Sequence, residues 1–164
     1  MMEFVRLQPN DEQGVRDMSA MAEKIVREHF DPIIGKEQND YMIAMFQTPE
    51  AIRHQLEHGY RYYFVLEDNR KIGFLAFYPK QDVMYLSKFY LYRSERGRGY
   101  SREMLDFVKR NALNEGLKAI ELNVNRFNMA VQVYEKLGMY VIRTEKNDIG
   151  YGYYMDDYVF RLDL

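Results

Sequence analysis

The sequence predicts a single α/β (α+β) domain built on a mixed, mostly antiparallel central sheet of about seven strands, with helices on both faces. Three observations lead to this fold class. The chain has 164 residues, a usual length for one domain, and contains no linker or internal repeat. Helical and β-type hydrophobic periods alternate along it. Three strand candidates follow one another directly in mid-chain, which favours antiparallel pairing.

The first half of the chain begins with a strand and continues with helices. A short apolar segment at 4–7 predicts the first strand. Apolar residues at helical spacing predict a helix over 11–30, and we expect it to end there because Pro32 disfavours helical backbone in the residue before it. Two further helices are predicted at 37–46 and 48–59.

The second half is rich in strands. Two helices are predicted here, at 100–114 and 129–137, and each is stopped by a glycine. The first two strands of this half are joined by a hairpin loop, and the last two form a closing antiparallel pair. Aromatic, β-branched or alternating residues predict strands at 60–66, 72–78, 83–92, 119–124, 140–144 and 151–162.

Composition and charge exclude several classes of protein. A net charge of −2 argues against a nucleic-acid partner. The absence of cysteine excludes disulfides, thiolate metal sites and a cysteine nucleophile, and it fits a cytoplasmic location. No apolar run has the length of a signal peptide or a membrane span, so we expect no membrane partner.

A glycine-rich segment between the long strand at 83–92 and the next helix predicts a pyrophosphate site. Successive N–H groups at a helix start form an anion-binding nest, and arginines add charge-assisted donors. The dinucleotide fingerprint would need a third glycine at Arg102, and the P-loop lysine is absent. We call this segment the glycine loop; it consists of Arg96, Gly97, Arg98, Gly99, Tyr100 and Ser101.

Two segments resemble the signatures of the GNAT superfamily of N-acetyltransferases. Residues 86–105, LSKFYLYRSERGRGYSREML, resemble the coenzyme A loop, which reads Arg or Gln, two residues, Gly, one residue, then Gly or Ala. Arg96 and Gly99 match, and Ser101 takes the last small position. Residues 125–139 resemble the second signature, an asparagine, then Ala or Ser, then Tyr-Glu-Lys-x-Gly-Phe, with methionine as the final residue. Both signatures lie in roughly the last half of the chain.

The resemblance implies a role for each matching residue. Acetyl-CoA would be the co-substrate, with its pyrophosphate on the glycine loop and no metal. Tyr134 would lie near the sulfur and protonate the leaving thiolate. Asn128 would bond the pantetheine arm, although Asn125 is an alternative. The backbone that bonds the arm and polarises the thioester would be that of Phe89, Tyr90 and Leu91.

The chemistry also requires a neutral amine. An alkylamine of pKa about 10.4 is almost entirely protonated at pH 7, so a base must assist. Glu121 is a candidate by position only, and a chain of waters is the alternative. Without cysteine, direct attack in a ternary complex is preferred to a covalent acetyl-enzyme.

The acceptor is expected to be a small-molecule amine or polyamine, with a peptide amine as the alternative. Residues 30–46 resemble acetyltransferases of the spermidine and small-amine type. Tyrosines near the C-terminus form either an amine-binding wall or an amphipathic edge strand. The sequence does not decide whether the chain forms a homodimer. Some of six carboxylates are expected to face the acceptor mouth: Asp31, Glu37, Asp40, Asp82, Asp156 and Asp157.

Two other functions fit part of the sequence. His54, Glu57 and His58 match the His-x-x-Glu-His pattern of some zinc peptidases, but no motif supplies a third ligand. We therefore predict no metal there. A non-catalytic acetyl-CoA-binding module on the same fold is the other alternative, because fold alone does not establish catalysis.

Overall fold

The computed structural model describes residues 1–164 and contains five α-helices and seven strands. The helices are α1 (Glu12–Ile34), α2 (Lys36–Phe46), α3 (Pro49–Glu57), α4 (Tyr100–Asn114) and α5 (Ala130–Lys136). The strands are β1 (Met2–Arg6), β2 (Arg61–Glu67), β3 (Arg70–Lys80), β4 (Val83–Leu91), β5 (Ala119–Asn125), β6 (Tyr140–Gly150) and β7 (Tyr153–Asp163).

The strands form one seven-stranded mixed sheet in the order β1-β2-β3-β4-β5-β7-β6. The pairs β1–β2, β2–β3, β5–β7 and β6–β7 are antiparallel, whereas β4 and β5 are parallel. The predicted mixed, mostly antiparallel sheet of about seven strands is therefore confirmed. No helix is long and apolar enough to cross a bilayer.

The chain divides into two compact units, and both β4 and α4 contribute residues to each. The first unit comprises residues 1–78 and 88–104. Its core is the apolar face of α1 together with aromatic residues of β2 and β3, including Val15, Met18, Ile25, Tyr62 and Phe74. The second unit comprises residues 79–87 and 105–164, and its buried residues include Val108, Ile120, Leu122 and Phe160. The single-domain description stays a prediction.

The predicted end of α1 before Pro32 is wrong, because the helix continues to Ile34. Proline at this position leaves the carbonyl of Glu28 without its helical N–H donor. The Arg93 guanidinium donates to that carbonyl at 3.0 Å instead. A long-range side chain thus replaces the missing backbone bond, and the helix ends only at Gly35, which has φ +85°.

Strands β3 and β6 are longer than the sequence predicts, because their hairpin turns are tighter. Asp68 and Asn69 both have positive φ and form a two-residue turn between β2 and β3. Tyr151 and Gly152 do the same between β6 and β7. Such left-handed pairs match the twist of the flanking strands, so pairing extends up to the turn.

Candidate active site

The glycine loop has the backbone shape that an anion nest requires. Gly97 and Gly99 lie in the left-handed region, with φ of +78° and +80°. A Cβ at either position would meet no atom within 4 Å, so the glycines serve the backbone conformation and not a close packing contact. Helix α4 begins at Tyr100, and the N–H groups of its first turn lack helical carbonyl partners. Loop and helix start together suit phosphate oxygens.

A buried carboxylate, which the sequence analysis missed, holds the arginines around this loop. Glu95 is only 7% exposed and accepts from Arg70 Nη1 at 2.7 Å. Arg98 Nη1 lies 3.7 Å from its other oxygen. These contacts, chiefly the Arg70 hydrogen bond, lower the pKa of Glu95. An acidic residue within a run of arginines was the available sequence signal.

Arg96 is held differently. It donates to the carbonyl of Leu91 at 3.4 Å, and partial burial lowers its pKa, although the guanidinium stays protonated at neutral pH.

The second half of β4 is fixed by an unusually close strand contact. A Cβ on Gly73 would lie 2.1 Å from the Tyr90 carbonyl oxygen, so only glycine allows β3 to approach here. The Tyr90 ring packs 5.4 Å from that of Phe74, and Leu91 is buried. The backbone expected to bond the pantetheine arm, Phe89 to Leu91, is therefore positioned from the β3 side.

Lys88 is a second residue that the sequence analysis missed. It lies on β4 directly before Phe89, is half-buried, and has its Nζ 5.6 Å from the centre of the Phe46 ring. Loss of hydration lowers the pKa of Lys88 to about 8. Hydrophobic patterning could not reveal this, because a lysine in a strand is ordinarily assigned to the solvent face.

In the second unit, the asparagines of the second signature organise the turn before α5. Asn128 is 5% exposed, and its Oδ1 accepts from the Ala130 N–H at 2.8 Å. Asn125 Oδ1 accepts from the Phe127 N–H at 2.9 Å, and its carbonyl accepts from the Asn128 N–H at 2.9 Å. Both asparagines thus shape the same turn, and the choice of pantetheine ligand between them stays open.

Tyr134 lies on α5 and is 8% exposed, with its ring centre 5.8 Å from that of Phe160. Burial raises the pKa of the phenol above its ordinary value. The hydroxyl is therefore protonated at neutral pH and can donate a proton or a hydrogen bond. Its assignment as general acid stays a prediction.

A polar cluster lies where the pairing of β4 with β5 stops. Parallel pairing runs only from Val83 with Ala119 to Tyr85 with Glu121, although β5 continues to Asn125. Beyond that point Asn123 joins three side chains: its Oδ1 accepts from the Tyr85 hydroxyl at 2.7 Å, and its Nδ2 donates to Glu145 at 3.0 Å and Asp157 at 3.3 Å. We call Tyr85, Asn123, Glu145 and Asp157 the polar cluster.

The two carboxylates of the polar cluster differ. Arg143 bonds Glu145 at 2.8 Å, and this contact chiefly lowers the pKa of Glu145. Asp157 is 3% exposed, and burial raises the pKa of its carboxyl to about 6. Desolvation therefore dominates at Asp157, whereas ion pairing dominates at Glu145.

Most other carboxylates expected at the acceptor mouth have polar or cationic partners. Asp31 accepts from Asn39 at 2.7 Å, and Asp40 pairs with both Arg27 and Lys36. Asp82 lies 3.9 Å from Lys118, and Asp156 lies 3.4 Å from Arg126. Glu37 is exposed on α2. Glu121, the base candidate by position, is bonded by Arg161 at 2.8 Å.

The histidine pair of the peptidase-like pattern is close but partly engaged. The rings of His54 and His58 are 4.1 Å apart, and His58 Nδ1 lies 2.7 Å from the His54 carbonyl oxygen. No group of three or more His, Asp or Glu side chains is arranged to hold a metal ion. The absence of bound metal stays a prediction.

Comparison with known proteins identifies a family model and fold relatives. The acetyltransferase (GNAT) family model matches residues 22–139, more than half of the chain. PaiA N-acetyltransferase from Thermoplasma acidophilum, solved with coenzyme A, is similar at TM-score 0.80 and 16% identity over 100% of this chain and 99% of its own.

Two further solved structures share the fold. The ribosomal-protein-S18-alanine N-acetyltransferase from Escherichia coli has a TM-score of 0.68 and 15% identity, over 99% of this chain and 94% of its own. A GNAT family acetyltransferase from Elizabethkingia anophelis, with acetyl-CoA bound, has a TM-score of 0.65 and 15% identity, over 99% and 98%. No curated protein sequence matched the chain.

Proposed function

Because the chain belongs to the GNAT family of acetyltransferases, we propose that it moves the acetyl group of acetyl-CoA onto a primary amine by direct attack in a ternary complex. The observation that carries the proposal is the glycine loop, where left-handed Gly97 and Gly99 lead into the start of α4. The loop supports pyrophosphate binding by backbone N–H groups, with Arg96 and Arg98 adding positive charge.

The thioester would be bound beyond the last paired residues of β4 and β5, Tyr85 and Glu121. An extended pantetheine arm can take backbone bonds of the kind that strands exchange, and Phe89 to Leu91 are the proposed donors and acceptors. A backbone N–H directed at the thioester carbonyl would stabilise the charge that develops during attack, by several kcal/mol in general.

Tyr134 would protonate the departing sulfur. Its raised pKa keeps the phenol protonated at neutral pH, and a thiol of pKa about 8.5 is already a tolerable leaving group. The acid is therefore helpful and not obligatory. Asn128 or Asn125 would bond the pantetheine arm from the turn before α5.

The proposed acceptor is a small cationic amine or polyamine, and a peptide amine is the second class. Support for the first comes from the similarity of residues 30–46 to small-amine acetyltransferases and from the buried carboxylate of Asp157. A peptide acceptor is the alternative because the similar Escherichia coli enzyme acts on a ribosomal protein alanine. The proposal includes a cytoplasmic location, supported by the lack of cysteine.

The test is a screen of alkylamines, polyamines and peptides with free N-termini for release of coenzyme A from acetyl-CoA. We expect turnover with at least one cationic amine, and mass spectrometry of the product should show one added acetyl group. Binding of acetyl-CoA without turnover on any amine would favour the non-catalytic module instead.

A further inference from the structure

We propose that Asp157 is the general base that takes a proton from the acceptor ammonium. This inference rests on the proposed function and names the group that the sequence left unassigned. Asp157 belongs to the polar cluster, on β7, between Asn125 of β5 and Glu145 of β6 in the strand register. The cluster lies at the point where β4 and β5 stop pairing, which is also the proposed place of the thioester.

The position of Asp157 is held by a neutral amide, not by a cation. Asn123 Nδ2 donates to its Oδ2, and Asn123 is oriented in turn by the Tyr85 hydroxyl. Two other acids, on β5 and at the end of β7, share a guanidinium partner: Glu121 and Asp163 both pair with Arg161. Asp157 has no such cationic partner, so no ion pair competes with proton uptake by its carboxyl.

Burial without a counter-ion is costly for a carboxylate, and such groups concentrate at functional sites. The strands on either side of Asp157 carry further charged and titratable groups. They include Glu145 and Arg143 on β6, Asp156 and Arg161 on β7, Glu121 on β5 and Tyr85 on β4, and Arg126 pairs with Asp156. Burial raises the pKa of Asp157 to about 6, with Glu145 and Asp156 adding to the rise and the Asn123 hydrogen bond opposing it. At pH 7 such a group is mostly ionised, yet more basic than an ordinary aspartate.

The reaction balances with this assignment. The ammonium gives one proton to an Asp157 oxygen, and the neutral nitrogen forms the C–N bond to the acetyl carbon. The C–S bond breaks with its electron pair on sulfur, which takes a proton from Tyr134. The amide nitrogen loses its second proton to solvent. Asp157 then releases its proton to solvent, Tyr134 regains one, and the net products are the amide, coenzyme A and one proton.

The experiment compares Asp157→Asn with the wild type on two acceptors, ethylamine and its trifluoro analogue. Ethylamine is an ammonium at pH 7 and needs a base, whereas the electron-withdrawing fluorines leave the analogue neutral. We expect kcat/KM for ethylamine to fall by about 100-fold or more in the variant, within the range of general-base catalysis. For the fluorinated amine we expect less than about a threefold loss, because no proton has to be removed before attack.

Two further readouts distinguish catalysis from structure. In the pH profile of wild-type kcat/KM, the acid limb should have an apparent pKa of about 6. Glu145→Gln should lower that apparent pKa, because it removes a negative neighbour. Because the raised pKa means that the ionised carboxylate destabilises the fold at pH 7, Asp157→Asn should raise Tm by a few degrees. Asp163→Asn, an exposed carboxylate at the end of the same strand, is the matched control and should change neither the limb nor kcat/KM.

The outcomes separate the two proposals. If the wild type releases no coenzyme A with ethylamine or any screened amine, the proposed function fails. Suppose instead that the wild type turns over. If Asp157→Asn then lowers kcat/KM equally for the two acceptors, or lowers Tm together with activity, Asp157 is a structural residue and this inference is wrong. Acetyl-CoA binding by Asp157→Asn should match the wild type, and a loss would also overturn the assignment.

Discussion

The glycine loop and the polar cluster use opposite physical means. The loop is exposed and cationic, and its proposed binding groups are mainly backbone N–H groups that two left-handed glycines orient. The cluster is partly buried, with Asp157 only 3% exposed and not paired with a cation, and its groups are side chains from four strands. On these two proposals, a constant phosphate group is recognised by local backbone, whereas the amine proton is taken by a desolvated carboxylate that residues of other strands hold.

The strongest test of this contrast is Gly99→Glu. The side chain strains a φ of +80° and adds a negative charge at the nest, so acetyl-CoA affinity should fall by more than about 100-fold, equivalent to losing roughly two charge-assisted hydrogen bonds. Calorimetry measures the effect. Gly116→Glu is the matched control, because Gly116 also has positive φ, +72°, and open space around it but lies at the other end of α4. Equal affinity of the Gly99 variant and the control would refute the location of the pyrophosphate.

Tyr134→Phe tests the proposed contribution of the second unit to catalysis. We expect kcat to fall by roughly 10- to 1,000-fold, the lower to middle range for a general acid, because the sulfur would leave without its proton donor. Acetyl-CoA affinity should change little, since the ring still packs near Phe160. Steady-state kinetics and coenzyme binding on the same variant provide the measurement. An unchanged kcat in a folded variant would show that Tyr134 contributes only to packing.

Lys88 tests whether burial, and not location, sets side-chain ionisation. Its pKa of about 8 in the folded protein lies below the ordinary 10.5, so the unfolded chain binds more protons between these values and stability should rise with pH across that window. Lys88→Met should raise the free energy of unfolding at pH 7 by about 1–2 kcal/mol and abolish that rise.

Denaturation at pH 7 and pH 10 checks the Lys88 prediction. Lys71→Met is the control, since Lys71 also lies over an aromatic ring, Phe64, but its side chain is 44% exposed. A pH dependence that is the same in the wild type and Lys88→Met would contradict the burial argument.

The smallest expected effect is that of salt. Raising ionic strength from about 0.05 to 0.5 M should weaken acetyl-CoA binding by roughly 3- to 10-fold, because the arginines of the glycine loop are exposed and screened. The acid limb assigned to Asp157 should move little, because buried charges are screened less. If the apparent pKa of the acid limb changes with salt as strongly as coenzyme affinity does, the distinction between the glycine loop and the polar cluster is wrong.

Sequence reasoning reached the sheet, most helix positions and the glycine loop because these depend on local patterns. It could not reach the polar cluster. The bonds of Asn123 to Glu145 and Asp157 depend on the strand order β5-β7-β6 and on register, neither of which is local. The same limit explains Pro32, where a guanidinium from after β4 supports a helix that local rules would end.

The bond from Arg93 to Glu28 has a consequence for folding order. Helix α1 can form most of its turns from neighbours in sequence, but one bond at its end comes from a side chain that β2, β3 and β4 separate from it in the chain. Contacts between residues far apart in the chain form only after the intervening loop has closed. The bond that replaces the missing one in the last turn of α1 can therefore form only once the segment that leads into the glycine loop is in place.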